Sequence, residues 1–311
     1  MKRMEPKKQR VWGLPAVANF ILGGAGAGLY LLSSLRLLTR AGSGPEGPLA
    51  AALVSLGFLA LTHEAGRPLR GIYLLSNLRS SWISIELFAG VLFMSAAILD
   101  WLFPLTVMRL LAVCGALLFI MSQGFVVYRA RAITAWNVPM IPLLFLLSAL
   151  AMGGGLLLLL SAIGHMPLEK GILTVLLIVL ISDMAAWVLY LKRSHNTNFR
   201  KATEFLRRPL PGFLVIGVGA VFPLLMLIGL MVAGLSGGSG VQIILSAMTG
   251  LAILAGGVSQ KIGIMLGAGY LREMLMGLSR DNAAVLKTGT GGVRDGSAAE
   301  DDRISSASVR N

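Results

Sequence analysis

Eight stretches of this chain are apolar over most of a membrane's width, and that repetition decides the fold class. They run from Leu14 to Leu35, Pro48 to Thr62, Trp82 to Phe103, Leu105 to Val127, Val138 to Ile163, Gly171 to Leu191, Phe213 to Leu235 and Val241 to Gly269. A helix needs ~20 apolar residues to cross ~30 Å of hydrocarbon. Within lipid, backbone N–H and C=O groups must be satisfied inside helices or closed barrels, and these runs lack the alternation of barrel strands. The sequence therefore predicts an all-α integral membrane bundle of eight transmembrane helices. Charged residues make up only 13% of the chain, against ~25% in a typical soluble domain.

The cations orient the bundle. Of 27 Lys and Arg residues, 23 precede the first stretch, occupy the second, fourth and sixth gaps, or lie from Lys261 onward; four fall in the other gaps. Positively charged gaps remain on the cytoplasmic side, so both termini are expected there, as an even number of spans requires. The reading divides the chain into a basic cytoplasmic tail (1–13), a membrane domain (14–270) and a cytoplasmic tail (271–311). That last tail is expected to be disordered from about residue 281, where Gly, Ser and charge leave little to bury. The first stretch is expected to remain as a span, because no small-residue cleavage site follows a short apolar region. The net charge of +13 is concentrated at the membrane boundary, where it attracts anionic lipid headgroups. Nucleic acid is not the expected partner.

Redox cofactors are constrained by what the chain lacks. With one cysteine, Cys114, it has neither an intrachain disulfide nor the four thiolates of an iron–sulfur cluster. Its three histidines are His63 at a span end and His165 and His195 in gaps, which gives no pair inside the bilayer to hold haem. No metal site is expected.

The polar residues gather in two places. The first is THEAGRPLRGIYLLSNLRSSWISIELFAG, carrying His63, Glu64, Arg67, Arg70, Asn77, Arg79, Trp82 and Glu86 around a turn at Gly66 and Pro68. Glu86 lies just inside the third span, where an ionised carboxylate is costly unless it faces a partner or water. It is either a proton-handling group or half of an ion pair that fixes topology. The second is VYRARAITAWNVPMIPLLF, in which Tyr128, Arg129, Arg131, Trp136 and Asn137 precede Pro139 and Pro142, a pattern suited to an irregular start of the fifth helix. Asp183 is read as the other intramembrane acid. Lys261 has two readings, a lysine snorkelling to the boundary or a charge lining a polar cavity. The glycines of GGAGAGLYLLSS, AMGGGLLLLLS and GLAILAGG are read as helix contact faces.

In these segments the chain resembles the polysulfide reductase NrfD and dimethyl sulfoxide reductase anchor (DmsC-like) subunits. The matching pieces are FILGGAGAGLYLLSS, the E-A-G-R-P-L-R turn followed by S-S-W-I-S-I-E, and A-W-N-V-P-M-I-P-L-L-F. The resemblance implies a quinone-reactive subunit of an oxidoreductase complex in the cytoplasmic (inner) membrane, with menaquinone or ubiquinone as bound substrate and no redox cofactor of its own. It also implies an iron–sulfur electron-transfer partner and a molybdenum or tungsten pterin catalytic subunit. The acid or histidine of the family's turn falls on Glu64, with His63 displaced by one, and the family's acid at the start of the third span falls on Glu86.

Quinol oxidation releases two protons with two electrons, so a site needs a base and hydrogen-bond partners for the quinone oxygens. Glu64, Glu86 and His63 are candidates for the base, and Arg67, Arg70, Asn19 and Tyr128 for orienting the headgroup. Asp183 and Lys261 are candidates for a proton path, and Arg70, Arg79, Arg129 and Arg131 for partner docking on the cytoplasmic face. Two rivals remain. One is a secondary transporter or ion-translocating protein, motivated by Glu86, Asp183 and Lys261, although spans one to four and five to eight show no convincing repeat. The other is a structural scaffold without a quinone site.

Overall fold

Apolar length and helix-compatible backbone chemistry yield long helices throughout the computed structural model of the protein, which describes residues 9, 12–37, 44–64, 81–164, 169–192, 197–232 and 240–270. All of them belong to one unit, Met1–Arg272. The helices are α1 (Leu14–Leu37), α2 (Glu46–Glu64), α3 (Trp82–Leu102), α4 (Thr106–Tyr128), α5 (Ile141–Ile163), α6 (Lys170–Lys192), the short α7 (Thr197–Ala202), α8 (Pro209–Gly212), α9 (Phe222–Val232) and α10 (Gly240–Ile262). Among the described residues, eight spans are long and apolar enough to cross a membrane, with Pro209–Val232 counting as one span and α10 continuing to Gly267. The architecture is the expected all-α membrane bundle. The expectations for residues 1–8 and for the tail beyond Tyr270 lie outside the described residues.

α1 is the most enclosed span and packs against α2, α4, α5 and α10. Its glycines make this possible. A Cβ on Gly26 would meet the Ala50 carbonyl of α2 at 2.7 Å, and Cβ atoms on Gly28 and Gly153 would each run into the other helix's backbone across the α1–α5 crossing. Farther along the bundle, Gly155 and Gly250 each stand against the other's carbonyl, joining α5 to α10. Small residues that let backbones approach replace the hydrophobic driving force that lipid cannot supply. The glycine-rich segments are contact faces, as their sequence suggested.

Pro142 shapes the start of α5. It occupies the first turn, where its missing N–H leaves no bond unmade, and residues 129–140 before it form turns without a long helix. In the seventh span Phe213–Val221 winds as a π-helix, which its apolar pattern does not foretell. Pro223, two residues beyond it, cannot donate to the carbonyl four residues earlier. Within the widened segment Gly219 packs its backbone directly on Gly256 of α10.

Both ends of the described unit emerge together. Gln9 N donates to the Gly269 carbonyl at 2.8 Å, so the face bearing residues 9–13 also bears 264–270 and is here the terminal face. Trp136 Nε1 donates to the Ile264 carbonyl at 2.8 Å, and the Tyr190 hydroxyl donates to the Ala135 carbonyl at 2.8 Å. These bonds lock the α4–α5 connection onto the ends of α6 and α10. Arg129, Arg131, Lys192, Arg200, Lys201, Arg207 and Arg208 belong to this face, whereas Arg36, Arg109 and Lys170 belong to the opposite one.

Candidate functional site

Inside the terminal face, three helices bring amide and carboxylate groups together in the protein interior. Asn19 of α1 donates its Nδ2 to Glu86 Oε1 of α3 at 2.8 Å. Gln123 of α4 donates its Nε2 to the same oxygen at 3.5 Å and to the Asn19 carbonyl at 3.4 Å. All three residues are buried, with Glu86 only 3% exposed. Among the described residues, Asn19 Oδ1 and Gln123 Oε1 accept no hydrogen bond. No cation reaches Glu86 through a salt bridge of the described residues, so the ion-pair reading of this acid finds no partner there.

The neighbouring carbonyl of α1 is engaged from the other side. Lys261 of α10, 1% exposed, donates its Nζ to the Phe20 carbonyl at 2.6 Å and lies over the Phe145 ring, 5.5 Å from its centroid. Gly24 makes room for this, because a Cβ there would collide with Lys261 Nζ. Gly23 does the same for Gln123, whose Nε2 would stand 3.0 Å from a Cβ on it. The lysine therefore does not snorkel; its ammonium is held inside the packed bundle. Beside it, Gln260 donates to Asp183 Oδ1 of α6 at 3.2 Å.

A cleft of about 570 Å³ opens on the terminal face above Glu86, lined by Trp12, Ser81, Trp82, Ile85, Val126 and Arg129 among others. Ser81 caps α3 by accepting from Ser84 N at 3.4 Å, which fixes the first turn of that helix. Trp82 stacks on Phe125 with centroids 4.4 Å apart, and Trp12 stacks on Trp136 at 5.1 Å. Glu86 follows Trp82 by one helical turn, ~6 Å deeper at 1.5 Å per residue. An aromatic mouth with Arg129 in its lining thus lies about one helical turn above a buried carboxylate that does not itself line it.

The sequence-predicted residues divide into those brought together and those not. Asn19 and Glu86 bond directly, Arg129 lines the cleft, and Tyr128 sits beside it with its ring on Phe125, 6.3 Å between centroids. Arg131 is exposed on the terminal face, and His63 is exposed at the end of α2. Glu64 ends α2, while its side chain and Arg67, Arg70 and Arg79 lie outside the described residues. Sequence reading missed Gln123, Gln260 and Trp12. It also overlooked a third acid. Asp100, 1% exposed near the end of α3, accepts from the Tyr30 hydroxyl at 2.9 Å and pairs with Arg109 at 3.4 Å. That cluster ties α1, α3 and α4 at the opposite face. Its position at the end of an apolar run, nine residues before an arginine, was the signal available. Among the described residues, no three His, Cys, Asp or Glu side chains gather as a metal site requires.

An eight-span helical bundle with a buried carboxylate–amide cluster beneath a boundary cleft defines a multi-pass membrane protein with an internal polar site. The chain belongs to the DMSO reductase anchor subunit (DmsC) family, whose sequence model matches residues 9–268. This bears out the resemblance read from its motifs, and with it an anchor role in an oxidoreductase complex. No curated protein matches the chain.

Proposed function

We propose that this subunit exchanges electrons and protons between the membrane quinone pool and an iron–sulfur partner, which in turn serves a molybdenum or tungsten pterin catalytic subunit. The observation that carries the reading is the cleft with Glu86 one turn beneath Trp82. A quinone headgroup is flat, has two carbonyl oxygens and trails an apolar tail. Trp12 and Trp82 offer aromatic faces to the ring, Arg129 offers donors to an oxygen at the rim, and the lipid-facing apolar surface takes the tail. When quinol gives up two electrons it also releases two protons, and a buried carboxylate near the headgroup is a suitable acceptor. Asn19 and Gln123 hold Glu86 Oε1 in position. In this reading Tyr128 helps to orient the headgroup, and Glu64, His63, Arg67 and Arg70 keep the roles their sequence suggests, as base or headgroup-orienting groups. Menaquinone and ubiquinone both fit this chemistry, and no haem or iron–sulfur cluster is assigned to this chain.

In this reading the terminal face is cytoplasmic in the inner membrane. Among the described residues, seven Lys and Arg lie at that face and three at the opposite one, the bias expected of a cytoplasmic face. Arg129 and Arg131, with Arg70 and Arg79, present the docking surface for an acidic patch of the iron–sulfur partner. Asp183 and Lys261 belong to a proton path leading from the site.

The test is quinol oxidation by membranes holding the whole complex. Glu86→Gln keeps the shape and lowers turnover by about a hundredfold or more, the ordinary contribution of a general base, while the partner subunits remain bound. Loss of the partner subunits with Glu86→Gln would instead assign the acid a purely structural role.

A further inference from the structure

Among the described residues, buried Glu86 and Lys261 and half-buried Asp183 approach the α1 region from three other helices, and nothing in quinone binding requires Asp183. Glu86 reaches α1 through Asn19 and Gln123, and Lys261 reaches it through the Phe20 carbonyl. The Asn19 and Phe20 carbonyls are consecutive, and Gly23 and Gly24 bare them to the incoming side chains. Gln260 then joins the lysine's own helix to Asp183, and Asp183 and Lys261 interact electrostatically. Gln123 thus stands between two charged centres, its Oε1 accepting no bond.

Among the described residues, other charges do not intrude. α5 and residues 209–232 carry no titratable side chain, and those of α2 lie at its two ends. Asp100 and Arg109 neutralise one another at the opposite face, and Tyr128 sits at the terminal-face end of α4. Charges in a medium of low dielectric interact strongly and favour a neutral sum. With Lys261 positive, neutrality allows one ionised carboxylate, hence one proton shared between two acids.

We propose that Glu86, Lys261 and Asp183 form one charge-coupled proton-binding unit holding a single shared proton, so that a proton arriving at Glu86 drives one off Asp183. This rests on the reading of Glu86 as the proton-handling acid. The exchange is balanced: the quinol hydroxyl gives its proton to Glu86, Asp183 releases one, and the unit keeps its charge. Lys261 and Asp183 are positioning groups for this purpose, acting on Glu86 through the field and not by touching substrate.

Infrared titration of the full-length chain in lipid nanodiscs, with no quinone added, tests it. The protonated carboxyl stretch is assigned by its loss in Glu86→Gln and in Asp183→Asn. Removing a negative neighbour favours the carboxylate, so Asp183→Asn lowers the midpoint of Glu86 by about one pH unit or more, and Glu86→Gln lowers that of Asp183 reciprocally. Lys261→Met raises the Glu86 midpoint, whereas Lys261→Arg leaves it in place. A Glu86 midpoint that stays within about 0.3 units of wild type in Asp183→Asn, a near-isosteric change expected to fold, overturns the unit even if Lys261→Met does not fold. Because no quinone is present, coupling without quinone turnover would leave the unit standing and sink the proposed function, and turnover without coupling would do the reverse.

Discussion

Asn19 and Glu86, sixty-seven residues apart, meet at 2.8 Å in the interior of the bundle, and this bond fixes where the carboxylate beneath the cleft points. Gln123 supports the same oxygen at a longer 3.5 Å. The two amides should therefore be unequal. Asn19→Leu strips Glu86 of its better donor and should cost about 1–3 kcal/mol, the penalty for a buried polar group left unpaired. Gln123→Leu should cost less. Thermal unfolding of the detergent-solubilised protein gives the order, and equal losses would show that the amides share the carboxylate evenly.

Glycines of the bundle should separate into two sharply different groups. Gly28 and Gly153 abut backbone across the α1–α5 crossing, while Gly171 and Gly229 have nothing within 4 Å of an added Cβ. Alanine at either crossing position forces the helices apart and should abolish stable folding. Alanine at 171 or 229 should be neutral or should stabilise by up to ~1 kcal/mol through helix propensity. Expression and thermal aggregation of the four variants check this.

Trp136 does two things that substitution can separate. Its Nε1 holds the Ile264 carbonyl, and its ring fills the core of the terminal face against Trp12. Trp136→Phe should lose about 0.5–1.5 kcal/mol for the hydrogen bond. Trp136→Ala should lose about 3–5 kcal/mol, as a large core ring removed, and should also impair quinol turnover by loosening the cleft. Unfolding and turnover measured on both variants test the split.

The cluster at the opposite face should matter for stability and not for turnover. Tyr30→Phe removes one bond to Asp100, and Arg109→Ala leaves that acid without its cation. The second change should destabilise more, because an uncompensated buried charge costs more than a lost neutral donor. Specific activity per folded molecule should be unchanged in both, and a fall in it would tie this cluster to the chemistry.

What the sequence made legible was what depends on composition along a segment. The third span was expected at Trp82–Phe103 and occurs at Trp82–Leu102, and Pro142 marked the start of α5, because apolar length and a missing N–H act locally. The polar pairings were a different matter. Asn19 with Glu86, Gln123 with Asn19 and Lys261 with Phe20 join residues 67, 104 and 241 apart, and no periodicity within one helix encodes which face of another it meets. Glu86, Asp183 and Lys261 could be picked out because charge is expensive in lipid. Gln123 and Gln260 carry no charge and passed as ordinary span residues, although they are amides like Asn19. The π-helical turn at 213–221 was hidden by an apolar run that reads the same in either winding.

The cleft is the centre of the account, and photo-cross-linking measures its occupancy directly. A photoreactive quinone irradiated in membranes containing the whole complex should label peptides from residues 81–85 and 126–130, with labelling competed away by excess native quinone. Labelling confined to other helices, or equally strong at the opposite face near Asp100, would contradict a quinone site above Glu86.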